Sequence, residues 1–182
     1  MDFVWEIMQE QLYLLHHAFK IEIDVFVLMV NHFHLIARSP EGNLSKAMQY
    51  FKSTTCKIIQ KETGRTNQIW GSRFFRTRLL TEYHFLNCYK YIYRNPIKAG
   101  LVTRVEEYKF STLSGLLGSQ PLLIPVQCDP FIFDDKFEKT MEWLNTVSSA
   151  QAEDSIKIAL RYSDFKLPKI NQRQSPWEDS LI

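Results

Sequence analysis

The stretch KIEIDVFVLMVNHFHLIAR, residues 20–38, predicts the two neighbouring strands on which the fold depends. Its first half alternates polar and apolar residues and then becomes continuously apolar, which is typical of a central strand. Residues 32–38 predict a second strand, and the short link between the two favours an antiparallel pair. An antiparallel sheet is therefore expected at the centre of the domain.

Two histidines, His32 and His34, are separated by one residue within the second predicted strand. Because side chains alternate across a strand, both imidazoles are expected on the same face. Such a pair can bind one side of a divalent cation or one oxygen of a phosphate. It can equally be two half-exposed strand histidines without a ligand. The pair alone leaves both interpretations open.

Three helices are predicted around the strands, at residues 3–19, 44–63 and 83–94. Asn43 is expected to cap the second helix, and Gly64 is expected to end it in the left-handed conformation. Pro96 is expected to close the third helix, because the residue before a proline disfavours helical backbone angles. Tyr91 and Asn95 are four residues apart, so they would share one side of this helix if it persisted to Asn95.

The net charge of +2 conceals a strongly basic centre. Residues 46–104 contain twelve Lys and Arg residues against two Glu, a net charge of +10, and the rest of the chain sums to −8. A basic centre between acidic ends indicates a surface that binds a polyanion. A solvated helix surface is the alternative, but it would not explain the arginines among the aromatic residues at 69–81.

Residues 69–81 predict a third strand, in which aromatic residues are interleaved with arginines. Aromatic rings on an extended segment can stack on bases while the arginines pair with phosphates. The alternative is an amphipathic strand with core phenylalanines and solvated arginines, and we favour contact with nucleic acid. The candidate DNA-binding residues are Arg73, Arg76, Arg78, Lys52, Trp70, Phe74 and Lys98.

The composition is that of a globular protein, with 45% apolar and 23% charged residues in 182. The three cysteines lie far apart without a CxxC spacing, so neither a disulfide framework nor a zinc knuckle is indicated. Asp2 and Glu6 interrupt the apolar N-terminus, which therefore does not resemble a signal peptide, and no run is long enough to span a membrane. These features predict a reducing, cytoplasmic location without membrane contact.

The composition changes after Gly118. Prolines mark a linker, two amphipathic helices are predicted at residues 137–147 and 152–162, and residues 163–182 form a polar tail. We therefore predict a first domain at residues 1–118. Residues 119–182 are predicted to contain the linker, the two helices and the tail.

Four segments of the sequence resemble the single-tyrosine HUH transposases, in particular the REP-associated tyrosine transposase branch. The resemblance covers about residues 20–117. It is carried by FVLMVNHFHLIARSPEGNLSKAMQYFK at 26–52, IWGSRFFRTRLL at 69–80, YIYRNPIKAGLV at 91–102 and YKFSTLSG at 108–115. The histidine pair alone is a weak signal, whereas the pair with a Tyr-Ile-x-x-Asn-Pro-x-x-Ala-Gly element at this distance is strong.

The resemblance assigns a role to individual residues of this sequence. It implies that His32 and His34 bind a metal ion, that Tyr91 is the nucleophile and that Asn95 is the third metal ligand. Tyr89 and Tyr93, two positions on either side, compete with Tyr91 for the nucleophile's role. The implied metal is Mg²⁺ or Mn²⁺, which accepts an amide oxygen readily, and zinc is the second choice.

The resemblance also implies a fold, a reaction and a partner. The implied fold is an α+β, ferredoxin-like antiparallel sheet with helices on one face and a helical C-terminal extension. The sequence departs from the family at Val30, where proline is usual, and it begins in a helix rather than in the family's usual first strand, so we expect a sheet without that strand. The implied activity is metal-dependent nicking and joining of single-stranded, hairpin-bearing DNA, at REP-like sequences or element ends, through a 5′-phosphotyrosine intermediate. The alternative is a descendant that binds structured DNA without cleaving it, and monomer and homodimer both stay open.

Overall fold

The computed structural model describes residues 1–71, 74–127 and 137–168. These residues form two compact units. The first unit contains residues 1–71, 74 and 106–127, and the second contains 75–105 and 137–168. Each unit is described by itself.

The first unit is built on the predicted antiparallel pair. Strand β1 spans Glu22–Leu28 and strand β2 spans Phe33–Arg38, with Phe26 opposite Leu35 and Val27 opposite His34. Residues 25–28 are at most 2% exposed, as their continuous apolar run predicts. The antiparallel pairing and the α+β class are confirmed.

A segment from further along the chain covers the other edge of β1. The Leu28 N–H donates to the Phe110 carbonyl at 2.9 Å, and the Tyr108 hydroxyl donates to the Leu28 carbonyl at 2.7 Å. The Thr112 hydroxyl accepts from the Phe26 N–H at 3.0 Å and faces the carbonyl of the same residue at 3.3 Å. Residues 108–112 therefore satisfy the backbone of β1 without forming a full strand. The segment follows the 3₁₀ helix Val105–Glu107 and ends at Thr112, the first residue of helix α4, Thr112–Leu116.

Helices α1, Asp2–Phe19, and α2, Leu44–Thr63, pack together in the first unit. Gly64 ends α2 with φ of 66°, which confirms the predicted left-handed cap. Asn43 occupies the N-cap position but makes no capping bond, because its Oδ1 accepts from the Ser39 hydroxyl at 3.0 Å. Its Nδ2 donates to the Phe19 carbonyl at 3.0 Å. Asn43 therefore ties the start of α2 to the end of α1 instead of capping its own helix.

Helix α3, Glu82–Lys98, is the centre of the second unit. Thr81 caps it, accepting from the His84 N–H at 3.1 Å. The prediction that Pro96 closes this helix is wrong: the proline lies in the last turn, where it forfeits a single backbone hydrogen bond, and the Ala99 N–H still donates to the Asn95 carbonyl at 2.9 Å. Asn95 is consequently helical and stays on the side of α3 that carries Tyr91.

Two further helices pack against α3, close to the positions predicted for them. Helix α5 spans Phe137–Asn145 and helix α6 spans Ala150–Ala159. The Arg94 guanidinium donates to the Leu144 carbonyl at 2.8 Å, and the Lys98 ammonium pairs with the Glu153 carboxylate at 2.5 Å. The division of the chain at residue 118 stays a prediction.

The predicted third strand at 69–81 is wrong for the residues of this segment that the structure describes. Its only pairing among them is an isolated parallel bridge between Arg78 and Asp164. The bridge is closed by the Arg78 N–H, which donates to the Ser163 carbonyl at 2.8 Å, and by the Phe165 N–H, which donates to the Arg78 carbonyl at 2.9 Å. Within the described residues, none of the helices is both long and apolar enough to cross a membrane.

Candidate functional site

The two predicted metal-binding histidines lie side by side. His34 is in strand β2, and His32 directly precedes that strand. His32 and His34 lie on the same face, with their Nε2 atoms 3.1 Å apart and their ring planes at 88°. On the far side of the first ring, the His32 Nδ1 lies 2.7 Å from the Asn31 Oδ1. Because an amide oxygen only accepts, Nδ1 carries the proton and Nε2 of His32 keeps its lone pair.

Both histidines favour the neutral form that a metal ion requires. Burial lowers the pKa of His32. Burial and, to a smaller extent, the charge of His32 lower the pKa of His34 to about 4. At neutral pH both imidazoles are therefore uncharged and can offer a nitrogen lone pair to a cation.

The spacing of the two nitrogens fits a shared metal ion. Two ligands at about 2.1 Å from one ion, at a right angle, would lie about 3.0 Å apart, close to the separation observed here. Among the residues that the structure describes, no group of three His, Cys, Asp or Glu side chains could complete such a site. Further ligands would have to be amides, water or substrate, which suits Mg²⁺ or Mn²⁺ better than a closed zinc site.

The structure separates the three tyrosines of α3 that the sequence left in competition. Tyr89 is 0% exposed and Tyr93 is 1% exposed, and their rings pack edge to face with centroids 4.8 Å apart. Tyr91, on another side of the helix, is half-buried and keeps access to solvent. Of the three tyrosines, Tyr91 is the one that is not fully buried.

The surroundings of Tyr91 hold its hydroxyl in the neutral form. Burial raises the pKa of Tyr91, the positive charge of Lys157 lowers it, and Glu153 and Cys88 raise it. Burial also raises the pKa of the Cys88 thiol to about 12, so this neighbour is uncharged. A nucleophilic Tyr91 therefore has to lose its proton when it attacks.

Asn95 lies one turn after Tyr91 on the same side of α3. Its Nδ2 donates to the Tyr91 carbonyl at 2.9 Å. This bond fixes the amide, and it leaves Oδ1 as the atom that could coordinate a cation. The histidine pair belongs to the first unit, whereas Tyr91 and Asn95 belong to the second.

The arginines predicted to bind DNA have different surroundings. Arg73 lies outside the described residues. Arg76 is exposed, and Arg78 is exposed but pairs with the Asp164 carboxylate at 2.6 Å. Arg76 is therefore the better placed of the two for a phosphate.

The predicted lysines are also engaged with other groups. The Lys52 ammonium lies 3.5 Å from the Gly71 carbonyl, and it is half-buried. Lys98 pairs with Glu153, which offsets its charge. Both ammonium groups keep some exposure, so neither contact rules out a phosphate ligand.

The aromatic residues require one correction. Trp70 was expected to stack on bases, but it is only 9% exposed, its Nε1 donates to the Thr55 hydroxyl at 2.8 Å and its ring packs on Phe33. Trp70 is therefore part of the core. Phe74 is half-buried, while Phe75, which is not among the predicted DNA-binding residues, is 66% exposed. Composition gives no signal that distinguishes these two adjacent phenylalanines.

Comparisons with known proteins agree with the resemblance. Residues 3–95 match the family described as "Transposase IS200 like". A REP-associated tyrosine transposase of Escherichia coli K12 is 33% identical over 94 residues, covering 50% of this chain and 53% of the relative. A Haemophilus influenzae relative, named for the same kind of transposase, is 27% identical over 108 residues, covering 53% of this chain and 60% of the relative.

A solved structure shares the fold. It is described as a REP-associated tyrosine transposase bound to a REP hairpin, and it superposes with a TM-score of 0.55 at 24% identity, covering 68% of this chain and 73% of the other. The matched parts of the two curated relatives amount to 53% and 60% of their lengths.

Proposed function

This chain belongs to the IS200-like transposase family, and we propose that it nicks and joins single-stranded, hairpin-bearing DNA through a covalent 5′-phosphotyrosine intermediate. The observation that carries this proposal is the position of Tyr91. It is the accessible tyrosine among three on α3, and Asn95 lies one turn further on the same side.

In this reaction the Tyr91 oxygen attacks the phosphorus of a phosphodiester. The bond between the Tyr91 oxygen and phosphorus forms while the bond between phosphorus and the 3′ oxygen breaks. Tyr91 loses its hydroxyl proton, and the released 3′ oxygen takes up a proton to become a 3′ hydroxyl. The phosphotyrosine conserves the energy of the broken bond, so that a second 3′ hydroxyl can reverse the step on another strand. No external energy source is then required for joining.

His32, His34 and Asn95 are the residues that we propose hold Mg²⁺ or Mn²⁺. When bound, such an ion polarises the scissile phosphate and stabilises the charge that develops on it. The support for this part of the proposal is the neutral state of the two histidines and the 3.1 Å separation of their Nε2 atoms. The Asn31 oxygen, bound to the His32 Nδ1, would orient the first imidazole.

The substrate that we propose is DNA with REP-like hairpins, because the curated relatives are named REP-associated transposases and the solved relative is bound to a REP hairpin. Arg76, Arg78, Lys52 and Lys98 would contact its phosphates, and Arg73 stays a prediction for the same role. Phe74 and Phe75 would contact its bases. We propose a cytoplasmic, nucleoid-associated protein, with a homodimer as one of its forms.

The test is incubation of the full chain with single-stranded REP-like hairpins labelled at either end, in Mn²⁺ or in EDTA. We expect a covalent protein–DNA adduct in Mn²⁺ and none in EDTA. The adduct should carry the fragment on the 3′ side of the break, joined through its 5′ phosphate, and should therefore retain the 3′ label and not the 5′ label. Tyr91→Phe should abolish the adduct and leave hairpin binding intact. Tyr93→Phe is the matched control, because it removes a hydroxyl from the same helix at a buried position, and it should leave the adduct in place.

Two results would contradict the assignment. An adduct that persists in Tyr91→Phe would move the nucleophile elsewhere. Binding of the hairpin without cleavage in Mn²⁺ would favour the alternative, a protein that recognises structured DNA and does not cut it.

A further inference from the structure

Helix α6 lies beyond the residues that match the transposase family, yet it packs on the helix that carries Tyr91. The contact between the two helices is fixed by the pair of Lys98 on α3 and Glu153 on α6, at 2.5 Å. Tyr91 lies two turns before Lys98 on α3 and shares its side of the helix. Side chains one turn before or after Glu153 on the same side of α6 are therefore candidates to reach the tyrosine.

Lys157 is the candidate that this arrangement selects. It lies four residues after Glu153, so it projects from the same side of α6 about 6 Å further along the axis. The charge of Lys157 acts on the Tyr91 hydroxyl. Among the described residues of α6, Lys157 lowers the pKa of Tyr91 and Glu153 raises it. The influence is mutual, since Tyr91 also acts on the pKa of Lys157.

The Lys157 ammonium is available to an anion. Its Nζ donates to the Asp154 carboxylate at 3.0 Å, and the two side chains are 40% and 67% exposed. An exposed pair of this kind contributes little to stability, and an ammonium has three protons to donate. Lys157 can therefore bind a phosphate oxygen without leaving a buried charge unpaired. Lys98, by contrast, is the partner that holds Glu153.

We propose that Lys157 of α6 binds the DNA phosphate that Tyr91 attacks, so that the C-terminal helix supplies a substrate-binding residue to the nucleophile. This inference rests on the proposed function for the identity of the phosphate. The ammonium would hold the anion beside the attacking oxygen and would stabilise the phosphotyrosine that forms. It would act by charge and position, and it exchanges no proton in the step.

The test measures hairpin binding and adduct formation separately, in the full chain and in the variants Lys157→Ala, Lys157→Arg, Asp154→Asn and Lys139→Ala. Binding of a REP-like hairpin is followed by fluorescence anisotropy across a range of NaCl concentrations. We expect Lys157→Ala to weaken binding roughly threefold to tenfold and to lower the slope of log affinity against log salt by about 0.7, the change for one lost contact to a single strand. Adduct formation at saturating DNA should slow about tenfold or more if the phosphate is held in the attacking position.

The control variants distinguish binding from structure. Lys157→Arg keeps a cation and should restore both readouts. Asp154→Asn keeps the ammonium and breaks its pair, so it should leave the slope unchanged; if it reproduced Lys157→Ala, the lysine would act only through Asp154 and the inference would fail. Lys139→Ala removes an exposed lysine from α5, and both readouts should stay at the wild-type level. Thermal melts identify a variant that fails to fold, and Lys157→Gln is the replacement in that case.

Failure of this inference is distinguishable from failure of the proposed function. An unchanged salt slope in Lys157→Ala overturns the inference even where the adduct forms. A wild-type protein that binds the hairpin but forms no adduct overturns the proposed function, and the slope still decides whether Lys157 contacts a phosphate. A wild-type protein that does not bind DNA overturns both.

Discussion

The Nε2 atoms of His32 and His34 lie 3.1 Å apart, each on a ring whose pKa is lowered by burial. Two imidazoles at this distance would repel each other if both were protonated. Their neutral state and their convergence are what a shared cation requires. The pair is thus compatible with the cation that we propose, whereas in the sequence it was equally compatible with two half-exposed strand histidines.

The first prediction concerns Mn²⁺ binding by this pair. We expect His34→Ala to weaken Mn²⁺ binding at least tenfold, because one of two protein nitrogens is lost. Electron paramagnetic resonance of free Mn²⁺ during a titration measures the affinity. His17→Ala, which removes an exposed histidine from α1, is the matched control and should bind Mn²⁺ as the wild type does. Equal affinity in both variants would place the ion elsewhere.

The second prediction concerns stability in acid without metal. The pKa of His34 is about 4 in the folded protein and about 6.5 when it is unfolded. Between these values the unfolded chain binds more protons than the folded chain. The contribution of His34 to the free energy of unfolding should therefore be complete above pH 6.5 and should fall as the pH approaches 4, by about 3 kcal/mol. His32 contributes in the same direction.

Urea unfolding in EDTA at several pH values between 7.5 and 4.5 measures this loss. His34→Gln removes the titrating group and should flatten the decline relative to the wild type. A decline of the same steepness in both proteins would mean that His34 is not the group that titrates. Mn²⁺ should shift the wild-type decline to lower pH, because the ion and the proton compete for the same nitrogen.

The third prediction concerns the hydroxyl that completes the edge of β1. Thr112 is 0% exposed, and its Oγ1 accepts from the Phe26 N–H at 3.0 Å. Thr112→Val preserves the shape of the side chain but leaves that buried N–H without its partner, so the free energy of unfolding should fall by about 1–3 kcal/mol. Thr112→Ser keeps the hydroxyl and should lose less. A larger loss in Thr112→Ser than in Thr112→Val would assign the effect to the methyl group instead.

The sequence predicted the parts of the fold that depend on periodicity. The alternating and then apolar run in β1, the short link to β2 and the glycine at position 64 each follow from local backbone rules, and they lie where expected. Pro96 was misjudged because a local preference against helix was applied to the last turn, where a proline costs little. Asn43 was misjudged because its side chain found a partner in another helix.

The candidate site shows the same division between local and long-range information. Motif spacing placed His32 beside His34 at the start of β2, and Tyr91 with Asn95 on α3. It could not show that Trp70 turns into the core onto Thr55, since that contact joins residues 15 apart. Lys157 was equally out of reach, because its relation to Tyr91 arises from the packing of α6 on α3.

The last prediction concerns base stacking by the adjacent phenylalanines. Phe75 is 66% exposed beside the exposed Arg76, whereas Phe74 is half-buried. An aromatic ring on a single-stranded DNA path contributes about 1–3 kcal/mol per stacked base. Phe75→Ala should therefore weaken binding of a REP-like hairpin roughly fivefold to a hundredfold, while the free energy of unfolding stays within about 0.5 kcal/mol of the wild type.

Trp70→Phe provides the opposite pattern. It removes the buried hydrogen bond to Thr55, so it should lower the free energy of unfolding by about 1–3 kcal/mol, and hairpin affinity should not change under conditions where the protein is folded. Anisotropy and urea unfolding on the same samples give both quantities. If Trp70→Phe weakened binding and Phe75→Ala did not, Trp70 would be the residue that stacks on a base. Residues 69–81 would then have to rearrange when they bind DNA.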